Sequence, residues 1–173
     1  VEGSEYILMA ALEAGARGIP FMPVRSGLGS DLLRINPDLK EFMSPFGGEK
    51  LVAVKALRPD AALVHVNHAD VTGYGQILGD RFFDPLYVRS AKKTILSTEK
   101  IVAEKDIIER FGETAILKLW TTRVVETPRG AGFTSCYPDY PVDFLRLQRY
   151  MKEAASAESF QNYLEKNVLQ PRS

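Results

Sequence analysis

Apolar residues recur at helical spacing over Ser4–Arg17, where Leu8, Ala11, Leu12 and Gly15 form one stripe. Ser4 is a suitable N-cap, and Gly18 is a natural stop just past the C-terminus. Glu13 and Arg17 fall at i, i+4 on the outer side. Glu5 lies three residues before Leu8 and seven before Leu12, so the pattern predicts a carboxylate on the buried stripe. There it either complements the helix dipole or serves a site at a cleft rim. Ile19–Val24 is apolar but carries Pro20 and Pro23, which allows a short strand with an irregular end. Asn36–Lys50, with Pro37, Pro45 and Gly47-Gly48, reads as loop.

Two short apolar runs, Leu51–Val54 and Ala61–Val66, read as strands. The second is almost continuously apolar and β-branched, which suits a strand covered on both faces, as in an open α/β sheet. A glycine-rich turn, Thr72–Gly75, follows it, and Gln76–Leu78 reads as a further strand. Asp84–Lys93 reads as a helix with Pro85 at N1. Thr94–Ser97 and Ile101–Val102 are strand-like, with Thr98-Glu99-Lys100 as a loop between them. Glu104–Phe111 predicts a helix with Ile107, Ile108 and Phe111 inward, and Ile116–Val125 predicts one strand holding Trp120. Thr127–Pro141 is irregular, with Pro128, Gly130, Gly132, Pro138 and Pro141. Asp143–Ala154 and Glu158–Val168 predict two closing helices, with Phe144, Leu147 and Met151 on one face and Phe160, Tyr163, Leu164 and Val168 on the other helix's face. Such stripes serve a core or a partner.

Composition narrows the function classes. The chain has 173 residues, 45% hydrophobic and 25% charged, ordinary values for one globular domain or part of a larger protein. Lys plus Arg equals Asp plus Glu at 22 each, so no global field favours nucleic acid or an anionic membrane. The single cysteine, Cys136, excludes an internal disulfide and points to a reducing, cytoplasmic setting. No motif marks it as a nucleophile. No apolar run approaches the ~20 residues that span a bilayer.

Two stretches carry candidate chemistry. The first is Arg25-Ser26-Gly27-Leu28-Gly29-Ser30-Asp31, directly after a strand-like run. Its glycines and serines either form a structural turn or expose backbone N–H groups to an anion, and Arg25 offers a bidentate grip on a carboxylate or phosphate. The second is His65, Asn67, His68 and Asp70 at the end of the central strand, where ligands of open α/β sheets sit. Both histidines lie there, but their spacing does not pair metal ligands and no third ligand accompanies them. No metal is assigned, and both read as satisfied polar groups. Asp70 reads as an Asx cap for Thr72-Gly73.

The segments PFMPVRSGLGSD (20–31), SPFGGEKLVAVKALRPDAALVHVNHADVTGYGQILGD (44–80), AKKTILSTEKIV (91–102) and VVETPRGAGFTSCYPDY (124–140) resemble the A-type (alpha) subunits of family I coenzyme A transferases. The likeness includes glutaconate and 3-oxoacid transferases and the steroid-ring-opening CoA hydrolases. It spans nearly the whole chain in order, so that 1–173 reads as one domain of the A type with 142–173 as a C-terminal helical tail. The resemblance implies an open, mostly parallel α/β sheet flanked by helices. It implies a partner B subunit in an A2B2 assembly, an acyl-CoA thioester and a carboxylate acceptor as substrates, and no permanently held cofactor. In this family a Glu of the B-type half attacks the thioester. Its Ser-Glu-Asn-Gly motif does not occur here, as expected of the A-type half. The Gly-Gly-Phe signature of A-type chains is absent too, and members carry a substantial segment before the point matching Val1, so the chain is expected to correspond to a C-terminal portion. In the ring-opening branch a Glu and an Arg of the A-type chain act in catalysis, and by position these match Glu5 and Arg25. Ser26, Gly27, Gly29 and Asn67 are the expected CoA or substrate contacts. Transfer of CoA is the first reading and ring-opening carbon–carbon hydrolysis the alternative. A third, outside catalysis, is a scaffold that only completes an interface.

Overall fold

The structure is a computed structural model that describes residues 2–169. It divides after Gly130 into two compact units. The first holds two sheets and four α-helices of its own.

Helix α1 (Glu5–Arg17) starts and stops where the sequence places it. The Ser4 side chain accepts the Ile7 N–H, and Gly18 takes a left-handed conformation, φ 72°, that returns its N–H to Ala14 and Gly15 carbonyls. Ile7, Ala10 and Ala11 pack on a three-stranded antiparallel sheet. Its strands are β1 (Phe21–Val24), β2 (Leu39–Met43) and β3 (Lys50–Lys55), in the order β1-β3-β2. Val24, Leu39, Val52 and Val54 supply its share of that core. Strand β2 lies inside the stretch read as loop. Five residues between Pro37 and Pro45 suffice for a strand once β3 is there to pair with. A short helix, α2 (Leu32–Ile35), precedes it.

The second sheet has five strands and is open, as expected. Strand β4 (Ala62–Ala69) is central and pairs in parallel with β6 (Thr94–Ile101). Strand β8 (Arg123–Glu126) extends the parallel side, while β5 (Gly75–Gln76) and β7 (Thr114–Ile116) pair antiparallel on the other. The order is β7-β5-β4-β6-β8. Helices α3 (Asp84–Ser90) and α4 (Glu104–Glu109) fill the connections. Val64, Val66, Ala69, Val88, Leu96 and Ile116 form the second core.

Four local expectations change. Leu63 is 76% exposed, so β4 is covered on one face only at its start. Thr98-Glu99-Lys100 is strand rather than loop, because parallel pairing with Val66 and His68 carries β6 through it. Leu117–Thr122 breaks the run read as one strand, since β7 and β8 belong at opposite edges of the sheet and the chain must cross between them. Ile107 alone of the predicted inward trio is buried, while Ile108 and Phe111 are exposed.

One contact fixes how α1 meets the rest of this unit. The Leu57 N–H donates to the Ala11 carbonyl at 2.9 Å. A Cβ on Gly15 would stand 2.1 Å from the Leu57 carbonyl oxygen and 3.2 Å from Ser90 Cβ. Backbone cannot move aside as a flexible side chain does. Gly15→Ala is therefore expected to cost about 1–3 kcal/mol, despite the better helix propensity of alanine. Urea unfolding checks this, and an unchanged midpoint would show that α1 shifts freely.

The second unit holds α5 (Phe144–Glu153) and α6 (Ala157–Leu164), followed by a π-turn over Glu165–Leu169. Ser156 and Ser159 form a reciprocal capping box at α6. Tyr150 joins the helices, with its ring 5.1 Å from both Phe133 and Tyr163, and the Arg146 guanidinium covers Phe133 at 5.0 Å. The predicted apolar stripe of α5 is not covered here, since Phe144 and Met151 are exposed.

Candidate functional site

The first candidate site forms where α1 begins and β1 ends. Ser4, as N-cap, holds extended backbone and turns its hydroxyl toward the first turn. Its Oγ also stands 3.5 Å from Ser26 Oγ. That contact sets the next residue of one segment and the preceding residue of the other, Glu5 and Arg25, on the same rim. Glu5 is exposed, not on a buried stripe, because the helix presents Ile7, Ala10 and Ala11 inward and N1 points off their side. Its carboxylate has no ion pair or hydrogen bond among the described residues.

The loop after Arg25 is a pair of overlapping turns. The Leu28 N–H donates to the Arg25 carbonyl at 3.3 Å, and the Ser30 N–H and hydroxyl donate to the Gly27 carbonyl at 3.2 and 2.7 Å. Gly27 and Gly29 take φ 93° and 71°. Space does not force glycine at Gly29, where nothing lies within 4 Å of an added Cβ, but the left-handed backbone does. Arg25 forms an ion pair with Glu49. A cleft of about 490 Å³ is lined by Ser4 together with Ile7, Ala11, Leu39, Val54 and Leu57. Asn36, also in its lining, donates to the Glu2 carbonyl at 2.8 Å.

The second cluster is built on the parallel β4–β6 pair of the five-stranded mixed sheet. His65 stands opposite Ser97 in the β4–β6 register. Its Nδ1 is 2.9 Å from Ser97 Oγ and its Nε2 is 2.7 Å from Glu99 Oε1. A carboxylate only accepts, so in the neutral ring Nε2 carries the proton and Nδ1 accepts from Ser97. Glu99 also accepts the backbone N–H groups of Arg129 and Gly130, at 2.6 and 3.2 Å. The imidazole is thus a satisfied polar group, as its position suggested. Asp70 is fully buried and caps its turn. Its Oδ1 accepts the N–H groups of Thr72, Gly73 and Tyr74 at 2.9–3.1 Å. Asn67 is also buried, and its Oδ1 takes the Leu78 N–H at 2.8 Å.

The structure therefore brings Glu5, Arg25, Ser26, Gly27 and Gly29 to one place and sets Asn67 in the other sheet, with its side chain turned inward. Sequence reasoning missed Glu49. Its only signal was position: it follows two glycines at the end of a loop, directly before a strand, where the hairpin aims it back at β1.

The coenzyme A transferase family model matches residues 2–117. The chain belongs to the coenzyme A transferase family. It is 37% identical over 166 residues to a cholesterol ring-cleaving hydrolase IpdA subunit of Mycobacterium tuberculosis, covering 91% of this chain and 56% of that protein. It is 30% identical to the A chain of the 3-oxoadipate CoA-transferase of Pseudomonas knackmussii, covering 96% and 58%. The crystal structure of glutaconate coenzyme A-transferase from Acidaminococcus fermentans superposes with a TM-score of 0.90 at 28% identity, over 99% of this chain and 59% of that one. The chain thus spans a little over half the length of these relatives.

Proposed function

We propose that the chain is the A-type component of a two-subunit enzyme that moves CoA between an acyl-CoA and a carboxylic acid. The observation that carries this is the Ser4–Ser26 contact, which brings the backbone bearing Glu5, a carboxylate with no partner among the described residues, beside the backbone bearing Arg25, in a chain of this family. A guanidinium there anchors a carboxylate or a developing enolate through two N–H groups, and Glu5 takes or returns a proton beside it. The turns at Ser26, Gly27 and Gly29 present hydroxyl and backbone groups to the thioester or the CoA phosphates. Asn67 lies outside this rim, in the other sheet, where it fixes the chain at Leu78. A partner B-type chain supplies the nucleophilic Glu, in an A2B2 complex in the cytoplasm. No helix among the described residues is long and apolar enough to cross a membrane.

The second reading is hydrolysis of a carbon–carbon bond in a cyclic acyl-CoA. Its support is the greater identity to the ring-cleaving hydrolase chain, 37% against 30% for the 3-oxoadipate transferase chain. The two readings separate on the partner. Native complex is purified from its source, and the co-purifying chain is sequenced by mass spectrometry. A partner with a Ser-Glu-Asn-Gly nucleophile is expected for transfer, and CoA then passes to added carboxylates. A similar partner without that Glu, with water-dependent consumption of acyl-CoA, decides for hydrolysis. Recovery of this chain alone overturns both.

A further inference from the structure

The ion pair at Arg25 follows from strand register. Val24 pairs with Val52 in the antiparallel β1–β3 ladder. Arg25 follows Val24 directly and Glu49 precedes β3 directly, so the same register, continued one step past the paired residues, brings two long side chains within reach of each other. The loop that carries Glu49 is closed on itself. The Ser44 N–H donates to the Glu49 carbonyl at 2.8 Å and the Gly48 N–H to the Ser44 carbonyl at 3.1 Å. Glu49 is thus held at the backbone and reaches Arg25 with its side chain alone. Both groups face solvent, Arg25 at 77% and Glu49 at 48% side-chain exposure. An exposed pair of this kind is weak and exchanges readily for another carboxylate.

We infer that Glu49 is a specificity-determining residue: its carboxylate holds the Arg25 guanidinium until an acyl-CoA with a carboxylate, or an enolate-forming group, at the far end of its acyl chain displaces it. Neutral acyl groups offer no anion and leave the Arg25–Glu49 pair intact. The preferred substrate is then an acyl-CoA whose acyl part is itself an acid. This rests on Arg25 being a substrate contact, as proposed above. Glu49 does no chemistry and acts through Arg25. Its removal should change which acyl group is preferred more than how fast the bound one reacts.

The test uses the native two-chain complex with wild-type, Glu49→Gln, Arg25→Ala and doubly substituted chains. Glutaryl-CoA serves as the acidic probe and butyryl-CoA as the neutral one. Glu49→Gln is expected to tighten glutaryl-CoA about two- to five-fold relative to butyryl-CoA, the range set by releasing one exposed ion pair. The change should fall on KM rather than kcat and vanish in the Arg25→Ala background. An unchanged preference, or equal weakening of both probes, overturns the proposal and makes Glu49 a structural residue. The Arg25 side-chain N–H resonance, titrated with free glutarate, separates this from failure of the functional reading. If the complex binds neither acyl-CoA, the enzyme assignment falls. The Glu49 proposal then stands or falls on whether Glu49→Gln lowers the glutarate concentration at half-shift.

Discussion

Alanine at Glu5 or at Arg25 is expected to lower turnover of the assembled enzyme by about 10²–10⁴-fold, the range of a lost acid–base or charge-stabilising group. Neither change should harm the fold. Glu5 makes no hydrogen bond or ion pair among the described residues, and Arg25 loses only an exposed pair with Glu49. Circular dichroism and unfolding midpoints should therefore stay near wild type while kcat falls. Glu5→Gln tests the charge itself: it keeps shape and dipole contact but cannot take a proton, so it should be nearly as slow as Glu5→Ala. Arg25→Lys should restore little, because an ammonium does not reproduce a two-pronged grip. Turnover within a few-fold of wild type for both alanine variants would leave this chain as a scaffold.

The largest effect on stability is expected at Asp70. Its carboxylate lies wholly inside the protein and gathers the N–H groups of Thr72, Gly73 and Tyr74, with the Thr72 hydroxyl at 2.9 and 3.0 Å from its two oxygens. The turn it shapes has Gly73 at φ 110° and is docked by the Thr121 hydroxyl, which donates to the Gly73 carbonyl at 2.7 Å. Asp70→Ala strips the partner from three backbone donors at once. Hydrogen bonds to a charged group contribute about 1.5–3 kcal/mol each and are not additive here, so a loss of about 3–5 kcal/mol is expected. Asp70→Asn keeps an oxygen where Oδ1 sits and should cost about 1–2 kcal/mol. Chemical denaturation measures both. A loss below ~1 kcal/mol for Asp70→Ala would mean that water replaces the carboxylate without strain.

The candidate site was partly legible because its parts are local. An N-cap serine, a first-turn glutamate and a glycine-serine loop after a short strand can each be seen in a few residues. The resemblance to a family then joined Glu5 with Arg25, which no local pattern does. Three things were not legible. Glu49 meets Arg25 only through the β1–β3 register. Glu99 meets His65 across 34 residues of sequence, by parallel pairing of β4 and β6. The burial of Asn67 depends on its facing Leu78 rather than solvent.

The secondary structure divides in the same way. Helix α1 was fixed by its own caps and stripe, and the Asp70 turn by its own side chain, because in both the stabilising partners lie within a few residues. The fate of Thr98-Glu99-Lys100 and of Ile116–Val125 was settled elsewhere. The first became strand because a neighbour was there to pair with it, and the second was cut because its ends serve opposite edges of one sheet. The sequence by itself determined the elements that carry their own caps and turns, the family and the chemical groups at the rim. The tertiary structure alone decided that Glu49 faces Arg25 and Glu99 faces His65, because a strand's register and neighbours arise from pairing between distant segments.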